Sequence, residues 1–422
     1  MKIVYATTSL PYTAGEAFII PEVLALMRNG YEVLVVPRSP GHTVVHRDAK
    51  PLVRMTIARA LLALDVLKGA CAEWWRTPGR ALRALGLLFR SRNPLVLLKN
   101  LAVYPKGLWL GRMARRYGAV HIHAHWAATT GTMALVASEV SGIPWSLTAH
   151  RFDIVENNLL AIKLNKARFV RFISGSGLEL ARSLANVEGP ASRLRVIHMG
   201  VDLPPCAPES PPAADPFVIL CPANLLPVKG HRYLIEAVAL LKKRGVEVFL
   251  CLAGQGELRE ELRKQVDSLG LSGHVWFLGQ LSHGELLSLY EERRISAVVL
   301  PSVDLGKGLH EGIPVALIEP MGHGVPVVST ATGGIPELLD GGAGLLVPPQ
   351  DAPALAEAIR HLVREPELRA RVSRLGRQRV EAQFAIEAVA AELMALFEDS
   401  SAGTRCRLDR SHPEFEELVV KT

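Results

Sequence analysis

Short apolar runs alternate with longer amphipathic stretches through most of the chain. Near the start, IVYAT and EVLVVP flank a stretch with helical spacing from about Glu16 to Asn29, and VHIHAHW and PWSLTAH follow further on. Apolar runs separated by helical stretches predict parallel strands joined by helices. We therefore expect a first α/β domain over residues 1–203.

A proline-rich segment interrupts this alternation. Leu203 to Pro216 contains six prolines, which disfavour regular structure and stiffen a connector, so we expect a linker over 204–216. The alternation then restarts with FVILCPA, VEVFLCLAG, VWFLG, AVVLPS, VPVVS and GLLVP. This predicts a second domain over 217–380, a helix over 381–399 and a loose tail over 400–422. The predicted fold class is α/β, with two Rossmann-like parallel-sheet domains and ligands beyond the carboxyl ends of their strands, in an inter-domain cleft.

Composition narrows the class of protein. Apolar residues make up 49% and charged residues 21% of the chain, as in globular proteins. The five cysteines form no C-x-x-C pair, which argues against a zinc site and a disulfide framework and favours a reducing compartment. The start, MKIVYATTSL, lacks the pattern of a secretory signal, and no apolar run free of charges is long enough to span a bilayer. These features predict a cytoplasmic protein.

Positive charge is concentrated in one segment. The chain carries a net charge of +7, but residues 50–116 contain 14 Lys or Arg against two acids, which makes the rest mildly acidic. A helix starting at Thr77 and Pro78 would place basic and apolar side chains on opposite sides. The basic set is Arg80, Arg83 and Arg90, and the apolar set is Leu82, Leu85 and Phe89. We expect this segment to contact an anionic membrane surface; a solvated helix face and a nucleic-acid contact are the alternatives.

The stretch with most chemical information is HEGIPVALIEPMGHGVPVVSTATGGIPELLDGGAGLLVPPQD, residues 310–351. Glu311 and Glu319 are separated by seven residues, and Pro314 suits the first turn of a helix that would contain Glu319. The backbone N–H groups around Gly312, Ile313 and Val315 would then form a helix N-terminus suited to a diphosphate.

This stretch resembles the signature of retaining GT-B glycosyltransferases of family 4, in EGIP, GHGVPVVST, GGIPELL and GLLVP, in the same order. Together with SLPYTAGEAFIIPEVLAL, HAHWA and TAHRFDI, it looks closest to enzymes of bacterial exopolysaccharide synthesis, of the colanic acid and amylovoran type. The resemblance implies transfer of a sugar from a UDP or GDP donor to a lipid-linked glycan, with retained anomeric configuration. It implies no cofactor and no metal beyond the nucleotide sugar as co-substrate.

The resemblance also implies roles for residues of the second domain. Glu311 would contact the donor sugar at the reacting carbon, and Glu319 would hold the ribose. Lys229 would meet the donor diphosphate. The remaining donor-binding positions are Gly254, Gly256, Gln280, Leu281, Gly312, Ile313, Pro314 and Val315.

In the first domain, Gly15 matches the glycine loop that approaches the phosphate, where a missing side chain leaves room for the ligand. His150 matches a histidine that faces the donor sugar, and Asp153 would orient it or touch the acceptor. The alternating His121, His123 and His125 would share one strand face; zinc ligation is the alternative to their place in the family pattern.

Two positions depart from the family pattern. Asn224 replaces an arginine in the diphosphate site, and Pro320 replaces an alanine directly after Glu319, inside the predicted helix. With Asn224, an inactive scaffold subunit that binds sugar nucleotides is an alternative to the enzyme. A sugar-nucleotide epimerase of the same architecture is a second alternative.

Overall fold

Two parallel β-sheets of six strands each organise the chain. The computed structural model describes residues 1–12, 14–41, 43–44, 49–188, 190–204, 215–306 and 310–401. They form two compact units: residues 1–198 together with the C-terminal segment from Val389, and residues 199–388. Most of the predicted linker, residues 205–214, and most of the predicted tail, from 402, lie outside the described residues.

The first unit contains a sheet in the order β2-β1-β3-β4-β5-β6, with every neighbouring pair parallel. Its strands are β1 Lys2–Thr7, β2 Glu32–Pro37, β3 His121–His125, β4 Trp145–Ala149, β5 Val170–Phe172 and β6 Leu194–Val196. Its helices are α1 Ile20–Arg28, α2 Lys50–Val53, α3 Leu64–Arg76, α4 Pro78–Leu88, α5 Pro94–Tyr117, α6 Thr129–Ser141, α7 Arg151–Glu156, α8 Leu160–Lys166 and α9 Gly175–Leu184.

The second unit repeats the plan, with all-parallel pairing in the order β12-β11-β10-β7-β8-β9. Its strands are β7 Val218–Pro222, β8 Phe249–Ala253, β9 Val275–Gly279, β10 Ala297–Leu300, β11 Val327–Thr330 and β12 Leu345–Val347. Its helices are α10 His231–Lys243, α11 Arg259–Ser268, α12 His283–Glu291, α13 Val315–Gly322, α14 Ile335–Leu339, α15 Ala352–Arg364 and α16 Pro366–Gln383. A last helix, α17 Ile386–Ser401, begins in this unit and continues into the first.

Both faces of the first sheet are buried, which explains why its strands read as nearly continuous apolar runs. Along β1, Ile3 and Tyr5 belong to one apolar cluster, and Val4 and Ala6 belong to the cluster on the opposite face. Phe397 of α17 packs in the first of these clusters. The end of the chain therefore contributes to the core of the first unit.

The structure confirms the alternating α/β plan and adjusts several boundaries. The helix expected from Glu16 starts as a 3-10 turn, Ala14–Ile19, and becomes α-helical only at Ile20. The expected C-terminal helix is the separate α17, which starts after α16 ends at Gln383. In the described part of the chain, no helix combines the length and apolar character needed to cross a bilayer.

The basic segment 50–116 forms the four helices α2 to α5. Thr77 and Pro78 occupy the predicted start of α4. The predicted orientation of α4 is wrong, because its buried residues are Ala81, Ala84 and Leu88. The larger Leu82 on α4 and Phe89 directly after it are exposed instead, and so are Arg83 on the helix and Arg90 after it. Small side chains let α4 pack closely on α5 and α6, and this leaves a mixed apolar and basic surface outside.

Candidate functional site

The loops that follow the strands of the second sheet carry most of the predicted residues. Asn224 follows β7, the Gly254 loop follows β8, Gln280 follows β9, and the Glu311 segment follows β10. Because all six strands are parallel, these loops lie at one edge of the sheet. Residues far apart in sequence are thereby brought to a common ligand-binding edge.

The structure brings two of these residues into direct contact. The ammonium of Lys229 forms a salt bridge with the carboxylate of Glu311, and both side chains are mostly buried. The sequence predicted that these two residues act on neighbouring parts of one ligand, but not that they pair with each other. An anionic ligand at this edge would compete with Glu311 for the Lys229 ammonium.

Two glycines fix the backbone of this ion pair. Gly230 has a φ of +66°, and a Cβ there would lie 2.0 Å from the carbonyl oxygen of Pro301. Gly333 has a φ of +56°, and a Cβ there would lie 1.8 Å from the carbonyl oxygen of Glu311. Only glycine fits these positions without displacing the loops. The backbone next to Lys229 and the backbone of Glu311 therefore each depend on a close contact that only glycine allows.

The loop around Glu311 has further backbone support. The imidazole of His310 donates from Nδ1 to the carbonyl oxygen of Glu311 at 2.7 Å. The backbone N–H of Gly334 donates to the carbonyl oxygen of Gly312 at 3.1 Å, which ties the loop after β10 to the loop after β11. Ile313 is buried in the core of the unit, whereas Gly312 and Val315 are partly exposed.

Gly254 and Gly256 have a packing role that the sequence did not reveal. A Cβ at Gly254 would lie 2.1 Å from the carbonyl oxygen of Ala223, and one at Gly256 would lie 2.3 Å from that of Leu225. The two glycines let the loop after β8 lie directly on the loop after β7. Between these contacts, the side chain of Asn224 is exposed.

Glu319 lies inside α13, as predicted. Pro314 is the N-cap of this helix, and Pro320 lies within the continuous helix Val315–Gly322. The imidazole of His283 contacts the carboxylate of Glu319, with 2.8 Å between Nε2 and Oε1. His283 was missed because 36 residues separate it from Glu319 and it belongs to no recognised motif.

The residues after β9 lie in the short connection before α12. Gln280 is exposed, and Leu281 is partly buried against the core of the second unit. The capping box of α12, Ser282 and Glu285, fixes this turn.

In the first unit, Gly15 lies exposed in the 3-10 turn before α1. No described atom lies within 4 Å of a Cβ built at Gly15, and its φ is outside the left-handed region. Neither packing nor backbone geometry within the described chain therefore requires glycine at position 15. Its neighbour Glu16, which the sequence analysis did not single out, is buried.

The Glu16 carboxylate joins several strand-end loops. It accepts hydrogen bonds from the backbone N–H groups of Thr8, Ser9 and Leu10 at 2.9, 2.6 and 2.7 Å. It also accepts from the Nε1–H of Trp126 at 2.6 Å. A carboxylate with this many donors is strongly ordered, so the loop after β1 and the indole after β3 are positioned together.

His150 stacks on this indole, with 4.2 Å between ring centroids. Its Nε2 lies 2.8 Å from Nε2 of His125, and its backbone N–H donates to Asp153 at 2.7 Å. Burial lowers the pKa of His150 to about 3, so the imidazole is neutral near pH 7. Burial raises the pKa of Asp153 to about 7, against hydrogen bonds from the backbone of Ala127 and His150. The Asp153 carboxylate therefore fixes the start of α7, where His150 is the N-cap residue. The two predicted roles of Asp153, to orient His150 or to touch the acceptor, stay predictions.

The three histidines of β3 are fully buried, and they contact side chains of β4 and of His150 directly after it. His121 and His123 both contact the hydroxyl of Ser146, at 2.7 and 2.8 Å, and His123 also contacts Thr148 at 3.0 Å. His125 contacts His150. Burial lowers the pKa of all three imidazoles. They share one face of the strand as predicted. Ser146 and Thr148 of the neighbouring strand contact His121 and His123, and Ser400 of α17 contacts Nδ1 of His121 at 3.0 Å.

A cavity of about 420 Å³ opens at the carboxyl edge of the first sheet. Its polar lining includes Arg38, which donates to the hydroxyl of Thr129, and the acids Asp153 and Glu156. Its aromatic lining consists of Trp126 and Phe152. Hydroxyl, charged and aromatic groups together suit a polar ligand that also has apolar faces, such as a sugar ring. We refer to this space as the unit-1 cavity.

Residues 207–379 match the family model described as Glycosyl transferases group 1. The colanic acid biosynthesis glycosyltransferase WcaL of Escherichia coli (strain K12), so named, is 28% identical over 413 residues, which cover 94% of this chain and 100% of WcaL. The D-inositol 3-phosphate glycosyltransferase of Corynebacterium jeikeium (strain K411) is 30% identical over 316 residues, which cover 67% of this chain and 72% of that enzyme.

Among solved structures, the Anabaena protein Alr3699/HepE in complex with UDP is similar in fold. It has a TM-score of 0.66 at 18% sequence identity, and the match covers 94% of this chain and 100% of that one. At this identity the likeness concerns the fold alone, and it confirms the predicted GT-B class of two Rossmann-like domains.

Proposed function

The chain belongs to the group 1 glycosyl transferases, and from this premise we propose that it transfers a sugar from a nucleotide diphosphate donor to a glycan acceptor. The pathway proposed is synthesis of a bacterial exopolysaccharide or another cell-surface polysaccharide, because WcaL is named for colanic acid biosynthesis. A UDP or GDP donor is proposed; HepE was crystallised with UDP and with UDP-glucose.

The observation that carries this proposal is the Lys229–Glu311 ion pair at the ligand-binding edge of the second sheet. Lys229 is a cation placed to meet a diphosphate, and Glu311 is a carboxylate placed to meet sugar hydroxyls or the positive charge that develops at the anomeric carbon. On donor binding, the diphosphate would replace Glu311 as the partner of Lys229. Glu311 would then be free to contact the sugar.

The proposed reaction retains the anomeric configuration and requires no metal ion. The bond between the anomeric carbon and the diphosphate oxygen breaks, the acceptor hydroxyl oxygen bonds to the same face, and its proton passes to the departing phosphate. Lys229 and the N-terminus of α13 would stabilise the leaving charge. Glu319, oriented by His283, would hold the ribose, and Gly15 would leave room for the phosphate.

The unit-1 cavity is proposed to take the acceptor, and the helices of segment 50–116 are proposed to contact an anionic membrane surface. Support for the membrane contact comes from α4 and the two residues after it, where Leu82, Phe89, Arg83 and Arg90 are all exposed. Trp75 on α3 is 81% exposed. Exposed large apolar residues mixed with arginines are typical of peripheral membrane surfaces. This contact would place the enzyme on the inner face of the cell membrane.

A thermal-shift panel of UDP- and GDP-sugars tests donor binding. A donor present at 100 times its Kd should stabilise the protein by about 2.7 kcal/mol, which raises the melting temperature measurably. Glu311→Gln should still bind UDP, because the variant removes the carboxylate that competes for Lys229, but should transfer sugar roughly 100-fold more slowly. Glu247→Gln, at an exposed position outside the site, is the matched control. Unchanged transfer in the Glu311 variant would refute the assignment.

A scaffold subunit that binds sugar nucleotides without catalysis remains the second candidate. It is favoured by Asn224, which leaves an exposed amide where the family has a cation. Release of free nucleotide diphosphate separates the two functions. Donor binding without any such release, across donors and acceptors, would establish the scaffold.

A further inference from the structure

His125, at the end of β3, and His150, directly after β4, form a buried pair of imidazoles in the first unit. Their Nε2 atoms lie 2.8 Å apart, so one ring must donate an N–H and the other must accept it. Aromatic rings enclose the pair: Phe18 and Trp126 lie 5.5 and 4.2 Å from His150 between ring centroids. Which ring donates decides the tautomer of both.

Both rings are neutral near pH 7. Burial lowers the pKa of His150 to about 3 and that of His125 well below its ordinary value, and the cation of Arg171 acts in the same direction on both. Each ring therefore carries a single proton. The hydrogen bond between them has two possible arrangements: His150 donates to His125, or His125 donates to His150.

The surroundings of the other nitrogen of His125 decide between these arrangements. Among the residues that the structure describes, Nδ1 of His125 has no hydrogen-bond partner, although it is buried. The carboxylate oxygen Oε1 of Glu22 lies 4.0 Å from it, and both side chains are fully buried. An N–H at Nδ1 is attracted to this carboxylate, whereas a lone pair there would be repelled. Glu22 therefore favours a proton on Nδ1 of His125, which leaves Nε2 to accept from His150.

The carboxylate of Glu22, on α1, is held in place by two other buried groups. Its Oε2 accepts a hydrogen bond from the guanidinium of Arg171, and its Oε1 accepts one from the hydroxyl of Tyr5. Arg171 also donates from Nε to the carbonyl oxygen of Ile197 at 2.8 Å. These contacts keep the negative charge of Glu22 at a fixed position beside His125.

The contacts of His150 on its other side lead to the same arrangement. The side chain of His150 is the acceptor in the capping box of α7, where the backbone N–H of Asp153 is the donor. Because Nε2 faces His125, the accepting atom is Nδ1, which must then carry a lone pair. A lone pair on Nδ1 puts the single proton of His150 on Nε2. This is the assignment that Glu22 predicts from the opposite end of the pair.

We propose that Glu22 sets the tautomers of this pair, so that His150 donates from Nε2 to His125 and His125 carries its own proton on Nδ1. The effect on catalysis rests on the proposed transferase function, because His150 is the residue predicted to face the donor sugar. Both nitrogens of His150 are then engaged within the protein. His150 would act through the position of its ring and exchange no proton with the ligand, and Glu22 and His125 would be positioning residues.

NMR correlation of the imidazole nitrogens with their ring protons reads the tautomers directly, in protein that carries isotope-labelled histidine. The signals of the two rings are assigned by their loss in the variants His125→Gln and His150→Gln. We expect His125 in the Nδ1–H form, which free histidine disfavours, and His150 in the Nε2–H form. A proton on Nε2 of His125 would overturn the proposal, whatever the activity of the protein.

Glu22→Gln tests the cause of this assignment. The amide removes the negative charge, and its N–H can donate to Nδ1 of His125, so the proton of His125 should move to Nε2. Because the single variant leaves Arg171 buried without its partner, the double variant Glu22→Gln and Arg171→Met, which removes both charges, is measured beside it. If His125 keeps its proton on Nδ1 in the folded variants, Glu22 does not set the tautomer.

Variants of His125 test the positioning of His150. His125→Phe keeps an aromatic ring but removes the acceptor, whereas His125→Gln brings an amide oxygen near the position of Nε2 that can accept from His150. The phenylalanine variant should lower kcat about 10-fold or more, because a reacting group or its neighbour that is misplaced costs rate. The glutamine variant should restore most of this loss. The donor-induced thermal shift should be the same in both variants as in the parent.

His123→Phe is the matched control for these variants. His123 is a fully buried imidazole on the same strand, and its ring nitrogens contact Ser146 and Thr148 rather than His150. The kcat of this control should stay close to that of the parent. Equal loss of kcat in both phenylalanine variants, or full kcat in His125→Phe, would refute the positioning role. If the parent transfers no sugar from any donor, the proposed function fails, while the NMR measurement still decides the tautomers.

Discussion

At the scale of single residues, the glycines of the candidate site divide into two kinds. Gly230, Gly254, Gly256 and Gly333 each face a backbone carbonyl oxygen that a Cβ would approach to 2.3 Å or less. Gly15 faces no described atom within 4 Å. Packing within the protein requires glycine at the first four positions. It does not require glycine at position 15, where the space that a missing side chain leaves is instead proposed for a ligand.

This contrast predicts that alanine at Gly15 lowers activity without lowering stability, whereas alanine at Gly333 lowers both. Gly15→Ala should change the free energy of unfolding by no more than about 0.5 kcal/mol, because the added methyl group meets open space. Its sugar transfer should fall, because the methyl group enters the volume proposed for the donor phosphate. Urea unfolding and donor-dependent release of nucleotide diphosphate measure the two effects.

Gly333→Ala is the control for this experiment. The methyl group would collide with the carbonyl oxygen of Glu311 at a positive φ, so the variant should lose roughly 1 kcal/mol or more of stability as well as activity. A stable Gly15→Ala variant with full activity would show that position 15 is not near the reacting groups.

The sequence predicted the residues of the Lys229–Glu311 pair but not the pairing itself. Motif spacing reports which residues lie at a strand end, because that follows from the order of elements. It does not report which side chains touch across loops, since these contacts depend on loop conformations fixed by Gly230 and Gly333. His283 and Glu16 were missed for the same reason, as their partners are distant in the chain.

At the scale of elements, strand β3 shows what periodicity reveals and what it leaves open. Alternation placed His121, His123 and His125 on one face, and the structure agrees. The neighbouring β4 alternates in the same way, with Ser146 and Thr148 in the strand and His150 directly after it, and its register against β3 brings polar partners to the imidazoles. Register between strands depends on the whole sheet, so it was not available from either strand alone.

These buried imidazoles predict acid sensitivity. Burial holds the pKa of His121 and His150 at about 3, and lowers that of His123 and His125, whereas unfolded histidine titrates near ~6.5. Below pH ~6.5 the unfolded chain therefore binds more protons than the folded protein. As the pH is lowered, the free energy of unfolding should decrease by roughly 1 kcal/mol per pH unit for each histidine.

Asp153 opposes this trend. Its pKa of about 7 in the folded protein means that the folded state takes up a proton between pH ~7 and ~4. The slope of the free energy of unfolding against pH is therefore smaller by the contribution of about one proton. Urea unfolding at pH 7.5, 6.5 and 5.5 should still show falling stability. A flat profile would mean that the histidines of β3 and His150 are not buried and neutral.

At the scale of the whole molecule, alternation of strands and helices was sufficient to predict two parallel α/β units. The return of the chain end to the first unit was not predicted, because α17 carries no local signal for its partner. Its Phe397 packs near His121 and Phe169, which come from strand-end positions more than 200 residues earlier. Such long-range packing decides domain boundaries that composition alone cannot locate.

The uneven distribution of charge over the molecule yields the last prediction. The protein should co-sediment with vesicles that contain phosphatidylglycerol, and binding should weaken in high salt. Replacing Arg80, Arg83 and Arg90 by glutamine should lower partitioning by about 10-fold or more, since each cation near an anionic surface contributes ~1 kcal/mol. The same number of charges removed from Arg364, Arg371 and Arg374, exposed in the second unit, should have little effect, because net charge changes equally but the proposed membrane surface does not. Equal losses in both triple variants would show that binding follows net charge and that the helices of segment 50–116 have no special part in it.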